Sequence, residues 1–403
     1  MRALRSKSEQ FYIEDILKKY DIEDRRSKEV FSIDPHNSKD FDDAFSIEST
    51  DDAFIISIYI SNVSFWLDAM NVWKSFSRRI ATIYLPDRRR PMLPTILSDL
   101  LCSLKEGCTR FAFTLDVTVD RETYDIVETK YVNTAVKVVK NYRYGSKELK
   151  ESQTYKKLYE IVKKMNGQLN YVPVMKDSHD MVAYLMIIMN YNSAKKLQSF
   201  RSGIFRSVKM NKKFEPPLQA SKQISKFLKM WNSSGGKYAP YEDIGAHDML
   251  ELDAYVHITS PIRRLVDLLN MIELQDKLGL FKKNKQSALF YDEWTSPESF
   301  DYINTTMRAI RKVQNDCSLL NLCGTDKSML EEIFDGFIFD RIIRNDNLYQ
   351  YMVYLPKIKL VNRVTTRHKR EDNTMEKFKV YVFMDESRLK HKLRLEMVID
   401  EVI

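Results

Sequence analysis

The stretch "FSIDPHNSKDFDDAFSIE", residues 31–48, places four aspartates close together: Asp34, Asp40, Asp42 and Asp43. Carboxylates that crowded repel one another and hold protons unless cations share the charge. Hard divalent cations take oxygen ligands, and Mg²⁺ works through a few carboxylates, water and substrate phosphate. A metal site is therefore one reading of the stretch, and a solvated acidic turn is the other. Phe31, Ile33, Phe41, Ala44, Phe45 and Ile47 favour the metal site, because apolar residues on both sides pin the loop to a core. The stretch is not an EF-hand, since the Gly and the distal Glu of that loop are missing at their offsets.

A second constellation is "YVHITSPIRRLVDLLNMIEL", residues 255–274. Ser260 suits a helix N-cap and Pro261 the first helical position. Ile262, Leu265, Val266, Leu269 and Ile272 then mark one buried face. Arg263 and Arg264 fall in the first turn, where the helix dipole disfavours cations. An anion held by the helix amides would reconcile them with that position, and the planar guanidinium fork matches phosphate. Pairing of Arg263 with Asp267, worth only a few tenths of a kcal/mol on a helix surface, is the alternative. Together, a carboxylate cluster and an arginine clamp make a phosphodiester-handling site, in which two cations about 4 Å apart activate water and stabilise the leaving oxygen.

The chain that must position these groups has 403 residues, 44% of them hydrophobic, and a formal charge of +8. Ten Gly and eleven Pro argue against long disordered segments. No apolar run suits a membrane span, and the charged start lacks the apolar core of a signal peptide, so a cytosolic location is expected. Cys102 and Cys108, like Cys317 and Cys323, lack CxxC spacing, and ordinary thiols are expected in place of a zinc site. Between Lys357 and Arg394, 12 Lys and Arg face 5 Asp and Glu, with Phe378, Tyr381 and Phe383 interleaved. That mixture suits phosphate neutralisation plus base stacking on nucleic acid, or else a solvated basic face.

Three stretches between 30 and 66 read as strands: "EVFSID", "DAFSIE" and "AFIISIYISNVSFWL". "TRFAFTLDVTVD" and "YDIVETKYVNTAVKVV" read as a strand pair bridged by "RET". Helical spacing takes over from about 146, through "SKELKESQTYKKLYEIVKKM", "DMVAYLMIIMNYNSAKKLQSF", a helix opening at "TSPIRR" and a long one from "SPESF". Strand grammar returns near Asp335 and Gly336. The expectation is an α+β chain in three parts: a lead-in over 1–29, a catalytic domain over 30–335 with a mixed sheet surrounded by helices, and a small OB-like β-domain over 336–403 that carries the basic, aromatic stretch suited to nucleic acid.

In its motifs the chain resembles the RNase II / RNase R (RNB) family of 3′–5′ exoribonucleases. "SIDPHNSKDFDDAFSI" resembles that family's active-site signature, "ATIYLPDRRRPMLPTILSDLLCSL" its next block, and "GKYAPYEDIGAHDMLELDAYVHITSPIRRLVDL" its C-terminal signature. The resemblance covers about residues 12–325 in order. It implies hydrolysis of single-stranded RNA to 5′-nucleoside monophosphates with Mg²⁺, or Mn²⁺ in its place. By the same resemblance Asp34, Asp40, Asp42 and Asp43 are metal ligands and catalytic, and Arg263 is the catalytic arginine. Tyr144 and Tyr84 would contact RNA, with His257, Ser260 and Arg264 also binding substrate.

Some positions depart from the family's pattern. Asn62 stands in place of an aspartate, Gln314 in place of a glutamate, and Ala183 and Tyr184 in place of an acidic pair. A catalytically weakened RNB-like RNA-binding module is the alternative these departures raise. The family's N-terminal cold-shock domains are missing ahead of the signature, and an RNA-guiding protein partner is expected to stand in for them.

Overall fold

The computed structural model describes residues 2–75 and 78–399. Contacts divide the chain into two units. One comprises Met1–Thr82, Pro91–Lys209 and Gly236–Thr306, and the other Ile83–Arg90, Met210–Gly235 and Met307–Ile403.

The first unit opens with helix α1 (Arg2–Lys19) and strands β1 (Glu23–Asp34), β2 (Asp43–Ser49) and β3 (Ala53–Ser61). β1 starts inside the stretch read as a lead-in, because Arg25 is buried and paired with Asp116 Oδ2 at 2.6 Å, which lets a charged segment join a sheet. The apolar run after β3 is not strand but helix α2 (Val63–Ala69); period alone cannot separate the two for a short continuous run. After the short strands β4 (Ile83–Tyr84) and β5 (Arg89–Arg90) of the second unit, the long hairpin β6 (Thr109–Asp120) and β7 (Ile126–Arg143) completes the sheet. The mixed sheet expected from the sequence closes on itself: β1-β2-β3-β6-β7 form a barrel, sealed by parallel pairing of β1 with β7. Phe31, Phe45, Ile56, Ile58, Phe113 and Leu115 pack against the helical layer.

That layer consists of α3 (Lys147–Glu151), α4 (Gln153–Leu169) and α5 (Ser178–Ser199). The single helix expected over 146–165 is split at Ser152, whose hydroxyl accepts from the Tyr155 amide and caps α4. Strands β8 (Ile204–Ser207) and β9 (Lys237–Pro240) pair with each other, α6 (Lys222–Trp231) of the second unit falls between them in sequence, and helices α7 (Leu265–Lys277), α8 (Lys285–Trp294) and α9 (Pro297–Thr325) follow. Asn190 on buried α5 donates to Tyr255 Oη at 3.0 Å and accepts from the Ile258 amide at 2.9 Å. It thereby fixes the chain that leads into "TSPIRR".

After the one-turn α10 (Ser328–Glu331), the second unit carries β10 (Ile333–Ile343), β11 (Tyr349–Leu355), β12 (Leu360–Thr366), β13 (Met375–Asp385) and β14 (Lys390–Met397). All pairs are antiparallel, in the order β12-β11-β10-β13-β14, which is OB-like. Residues 83–90, 210–235 and 307–335, read as catalytic domain, pack with this unit instead. Aromatic packing explains α6: Phe227 stacks on Tyr354 at 3.8 Å, and Trp231 Nε1 donates to Asp340 at 3.0 Å. Phe378 is wholly buried and unavailable for stacking on a ligand, whereas Tyr381 and Phe383 are exposed. No helix among the described residues is long and apolar enough to cross a membrane.

Asn62 shows how a departure is absorbed. It is buried between β3 and α2, and its amide donates to Asn133 Oδ1 at 3.0 Å and Gln275 Oε1 at 2.8 Å. An aspartate there would turn its oxygens on two acceptors. Flipping those amides would forfeit Asn133 to Leu280 O at 2.9 Å and Gln275 to Met271 O at 3.2 Å. Asn62→Asp should therefore destabilise the protein at pH 7 by about 2–3 kcal/mol, through a buried unpaired charge and unmet hydrogen bonds. Urea unfolding checks it, and the deficit should shrink towards pH 4, where the new carboxyl is neutral.

Candidate active site

The end of β1, the loop 35–42 and the start of β2 carry the four aspartates. The loop is stitched down by its backbone: Ser61 N donates to Asp42 O at 2.8 Å, Leu104 N to Phe41 O at 2.9 Å, and Phe41 N to Ser103 Oγ at 3.0 Å. Asp34 is buried and accepts from Ser32 Oγ at 2.8 Å, and Ser32 is itself held by Asn141 Nδ2 at 2.8 Å. Asp43 is half-buried and accepts no hydrogen bond among the described residues. Asp40 is half-buried on the loop, and its charge disfavours ionisation of Asp42.

Asp42 is 2% exposed and binds the second motif: Oδ1 accepts the Ile262 amide at 2.9 Å and Oδ2 accepts Arg263 Nε at 2.9 Å. Burial pushes its carboxyl up, to about 7, against the pull of Arg263 and the Ile262 amide. With donors aimed at both oxygens, the ionised form is the one this geometry serves. The anion expected near "SPIRR" is thus, in part, the protein's own.

The helix start differs from the expectation. α7 begins at Leu265, and Ser260 is no N-cap. Residues 260–264 form a turn in which Arg263 N and Arg264 N both donate to Ser260 O, at 3.2 and 2.9 Å. Asp267 Oδ1 accepts Ser260 N at 2.8 Å and Arg264 Nη2 at 2.7 Å, drawing the turn outside the helix. Asp267 therefore pairs with Arg264, leaving Arg263 for Asp42. Thr82 N donates to Arg263 O at 2.9 Å, bracing the arginine's backbone. The Arg263 side chain remains 42% exposed while anchored.

Burial, then the charge of Asp43, raises the Asp34 pKa well above the ordinary carboxylate range; burial does the same for Asp43. Tyr144 N donates to Asp34 O at 3.1 Å, and the Tyr144 phenol is pushed up by burial and by the charges of Asp43 and Asp34, which places it beside them. Its ring stacks on exposed His179 at 3.8 Å and 11°. Nothing in residue type or spacing singles out His179, which the tertiary fold brings over from the first turn of α5. His257 is half-buried, with Nδ1 2.7 Å from Tyr238 Oη. Tyr84 is 40% exposed in the second unit, where its amide donates to Gln314 Oε1 at 2.9 Å. Tyr184 is buried in the core, so it cannot replace an acid in contact with water.

Among the described residues no three His, Cys, Asp or Glu side chains are grouped to hold a metal ion. The expected four-ligand set is not assembled, since Asp42 is committed to Arg263 and Ile262. The pair Asp34 and Asp43 nevertheless suits a hard cation. Two desolvated carboxylates repel each other, one lacks a protein donor, and Mg²⁺ needs only one or two carboxylates plus water and phosphate oxygen.

The sign of the pH dependence follows. These acids hold protons to higher pH in the folded state than in the unfolded state, so the cation-free protein loses stability as pH rises from about 4 through the raised values. Cation binding gains over the same window, because protons leave the site. At about tenfold its Kd, Mg²⁺ should add about 1.4 kcal/mol at pH 8 and markedly less near pH 5.5. Thermal melts with and without Mg²⁺ at the two pH values test this. Equal shifts at both, or a shift that survives Asp43→Asn, would contradict it.

Residues 22–164 match the RNB domain family model. The chain is 28% identical over 360 residues to ribonuclease R of Mycoplasmopsis pulmonis, covering 70% of this chain and 49% of that protein. It therefore spans about half the length of the curated relatives it matches. Mycoplasma genitalium RNase R, solved in complex with ribose-methylated single-stranded RNA, has the same fold, with a TM-score of 0.68 and 17% identity over 96% of this chain and 74% of that one. So does yeast Ssd1, described as a pseudonuclease, with a TM-score of 0.66 and 14% identity over 87% of this chain and 51% of that one. Fold alone therefore does not decide activity. Residues 22–164 thus carry an RNB domain, and over most of its length the chain is similar to ribonuclease R.

Proposed function

We propose that the chain hydrolyses single-stranded RNA from its 3′ end, releasing 5′-nucleoside monophosphates. The observation that carries this reading is the desolvated pair Asp34 and Asp43 beside Arg263, itself anchored by Asp42. Bound Mg²⁺ would neutralise phosphate charge and lower the pKa of an attacking water. Asp34 and Asp43 would hold one such ion, and a second would draw on Asp40, water and substrate oxygens. Arg263 meets charge developing on the phosphate, and Asp42 keeps its guanidinium from reorienting. Tyr144, backed by His179, offers a stacking face for the 3′-terminal base. On the second unit, Lys312, Arg363, Lys390, Lys392 and Arg394 line a groove of about 440 Å³ suited to a phosphate backbone.

One observation favours a second reading, an RNA-binding module with weakened catalysis: Ala183 is exposed and Tyr184 buried where the family has acids. The likeness to a pseudonuclease points the same way. A 5′-labelled single-stranded RNA incubated with Mg²⁺ separates the two. Shortening one nucleotide at a time from the 3′ end, abolished by EDTA and reduced by at least about a thousandfold in Asp43→Asn, supports hydrolysis. Intact RNA that remains bound supports the module. A matched DNA oligomer cut at the same rate would undermine the RNA assignment, since the 2′-OH distinguishes the two.

A further inference from the structure

Arg206 lies on β8, paired across the ladder with Tyr238 on β9. Its guanidinium sits 5.1 Å from the Tyr238 ring centroid and directly over Gly236, where an added Cβ would fall 2.4 Å from Arg206 Cζ. Its backbone N–H donates to Tyr255 O at 2.8 Å. Tyr238 Oη lies 2.7 Å from His257 Nδ1, and the Tyr255 ring contacts both His247 and His257 at centroid distances of 5.0 and 5.7 Å. Arg264 completes the cluster. Two guanidiniums and two imidazoles are thus gathered around two tyrosines.

The negative charge that reaches them is small. Asp267 serves Ser260 N and Arg264 Nη2 through Oδ1 alone, its Oδ2 being buried without a hydrogen-bond partner among the described residues, and Asp248 lies beside His247. Arg206 has no carboxylate within ion-pair distance among the described residues. Arg264 Nε and His247 Nδ1 are buried without a hydrogen-bond partner among the described residues, and His247 is only 8% exposed. The unmet Arg264 N–H is a costly buried donor that asks for an acceptor, and His247 Nδ1 is a second buried polar atom left unmet beside it. Burial first, then the neighbouring arginines, hold His257 neutral, as expected where positive charge is not balanced. Arg206 and His257 are half-buried, so the cluster is reachable from solvent.

We propose that Arg206 and His247 join His257 and Arg264, the two positions that the family resemblance already assigns to substrate, in an oxyanion subsite that holds a backbone phosphate of the RNA other than the one at the Asp34 and Asp43 pair. The identity of the ligand rests on the function proposed above; the demand for an anion does not. Held there, one phosphate fixes the register of the strand while another faces Arg263.

Binding of a 5′-fluorescein single-stranded RNA, followed by anisotropy in EDTA across a range of salt, tests the subsite. Arg206→Met should weaken binding about tenfold and reduce the slope of log K against log salt by about 0.7, the loss of one phosphate contact on a single strand. Arg206→Lys, which keeps the charge, should retain the wild-type slope. Weaker binding of Arg206→Met with an unchanged slope would make Arg206 merely structural and overturn the proposal, as would unchanged affinity. A second readout does not depend on that variant folding: inorganic phosphate in EDTA should raise the melting temperature of wild type and of Asp43→Asn alike. No rise in either would also overturn the subsite. RNA bound with these salt slopes but never hydrolysed with Mg²⁺ would leave the subsite standing and remove the nuclease reading.

Discussion

Asp42 joins two segments 220 positions apart, with one oxygen on the Ile262 amide and the other on Arg263 Nε. A carboxylate this buried is tolerable only because both oxygens are met by donors; removing one partner of a buried pair typically costs about 3–5 kcal/mol. The constraint works in both directions. It commits one of the four clustered acids to the protein, and it holds an exposed arginine in a single orientation without a helix N-terminus. The turn at 260–264 exists to make this contact, with Asp267 drawing Ser260 and Arg264 back from the helix.

The enclosure that secures Asp42 also makes its neighbours poor acids. Asp34 and Asp43 lose water without gaining a full set of donors, so protons and the divalent cation proposed for the pair would compete for the same oxygens. The surrounding scaffold is rigid where this competition takes place. β1 and β2 enter from a closed barrel, and Ser32, Asn141, Ser61 and Ser103 tie the loop ends to it. The departures from the family's pattern sit in settings that fit them. Asn62 is matched by two amide acceptors, Gln314 takes the Tyr84 amide, and Tyr184 joins the core.

Much of this was legible in the residues. The aspartate spacing, the hairpin of β6 and β7, the long α9 and the return to strands near 333 all carry local signals: alternation, turn residues and helical period. What escaped were features decided at a distance. Ser260 and Pro261 satisfy the capping rules for a helix start, yet Asp267 and Asp42 claim the amides and the helix waits until Leu265. The run "VSFWL" is apolar on every side, so only packing could assign it to α2. β1 begins early because Arg25 meets Asp116 from 91 positions away. His179 over Tyr144 and Arg206 over Tyr238 are juxtapositions that no spacing encodes.

The coupling between Asp42 and Arg263 is the quantity on which the site stands. A double-mutant cycle in unfolding free energy, with Asp42→Ala, Arg263→Met and the pair combined, measures it. A coupling of about 1–3 kcal/mol is expected, with the double variant little worse than Asp42→Ala alone. Effects that add to within about 0.3–0.5 kcal/mol would show the two side chains to be independent, and the arginine would lose its anchor.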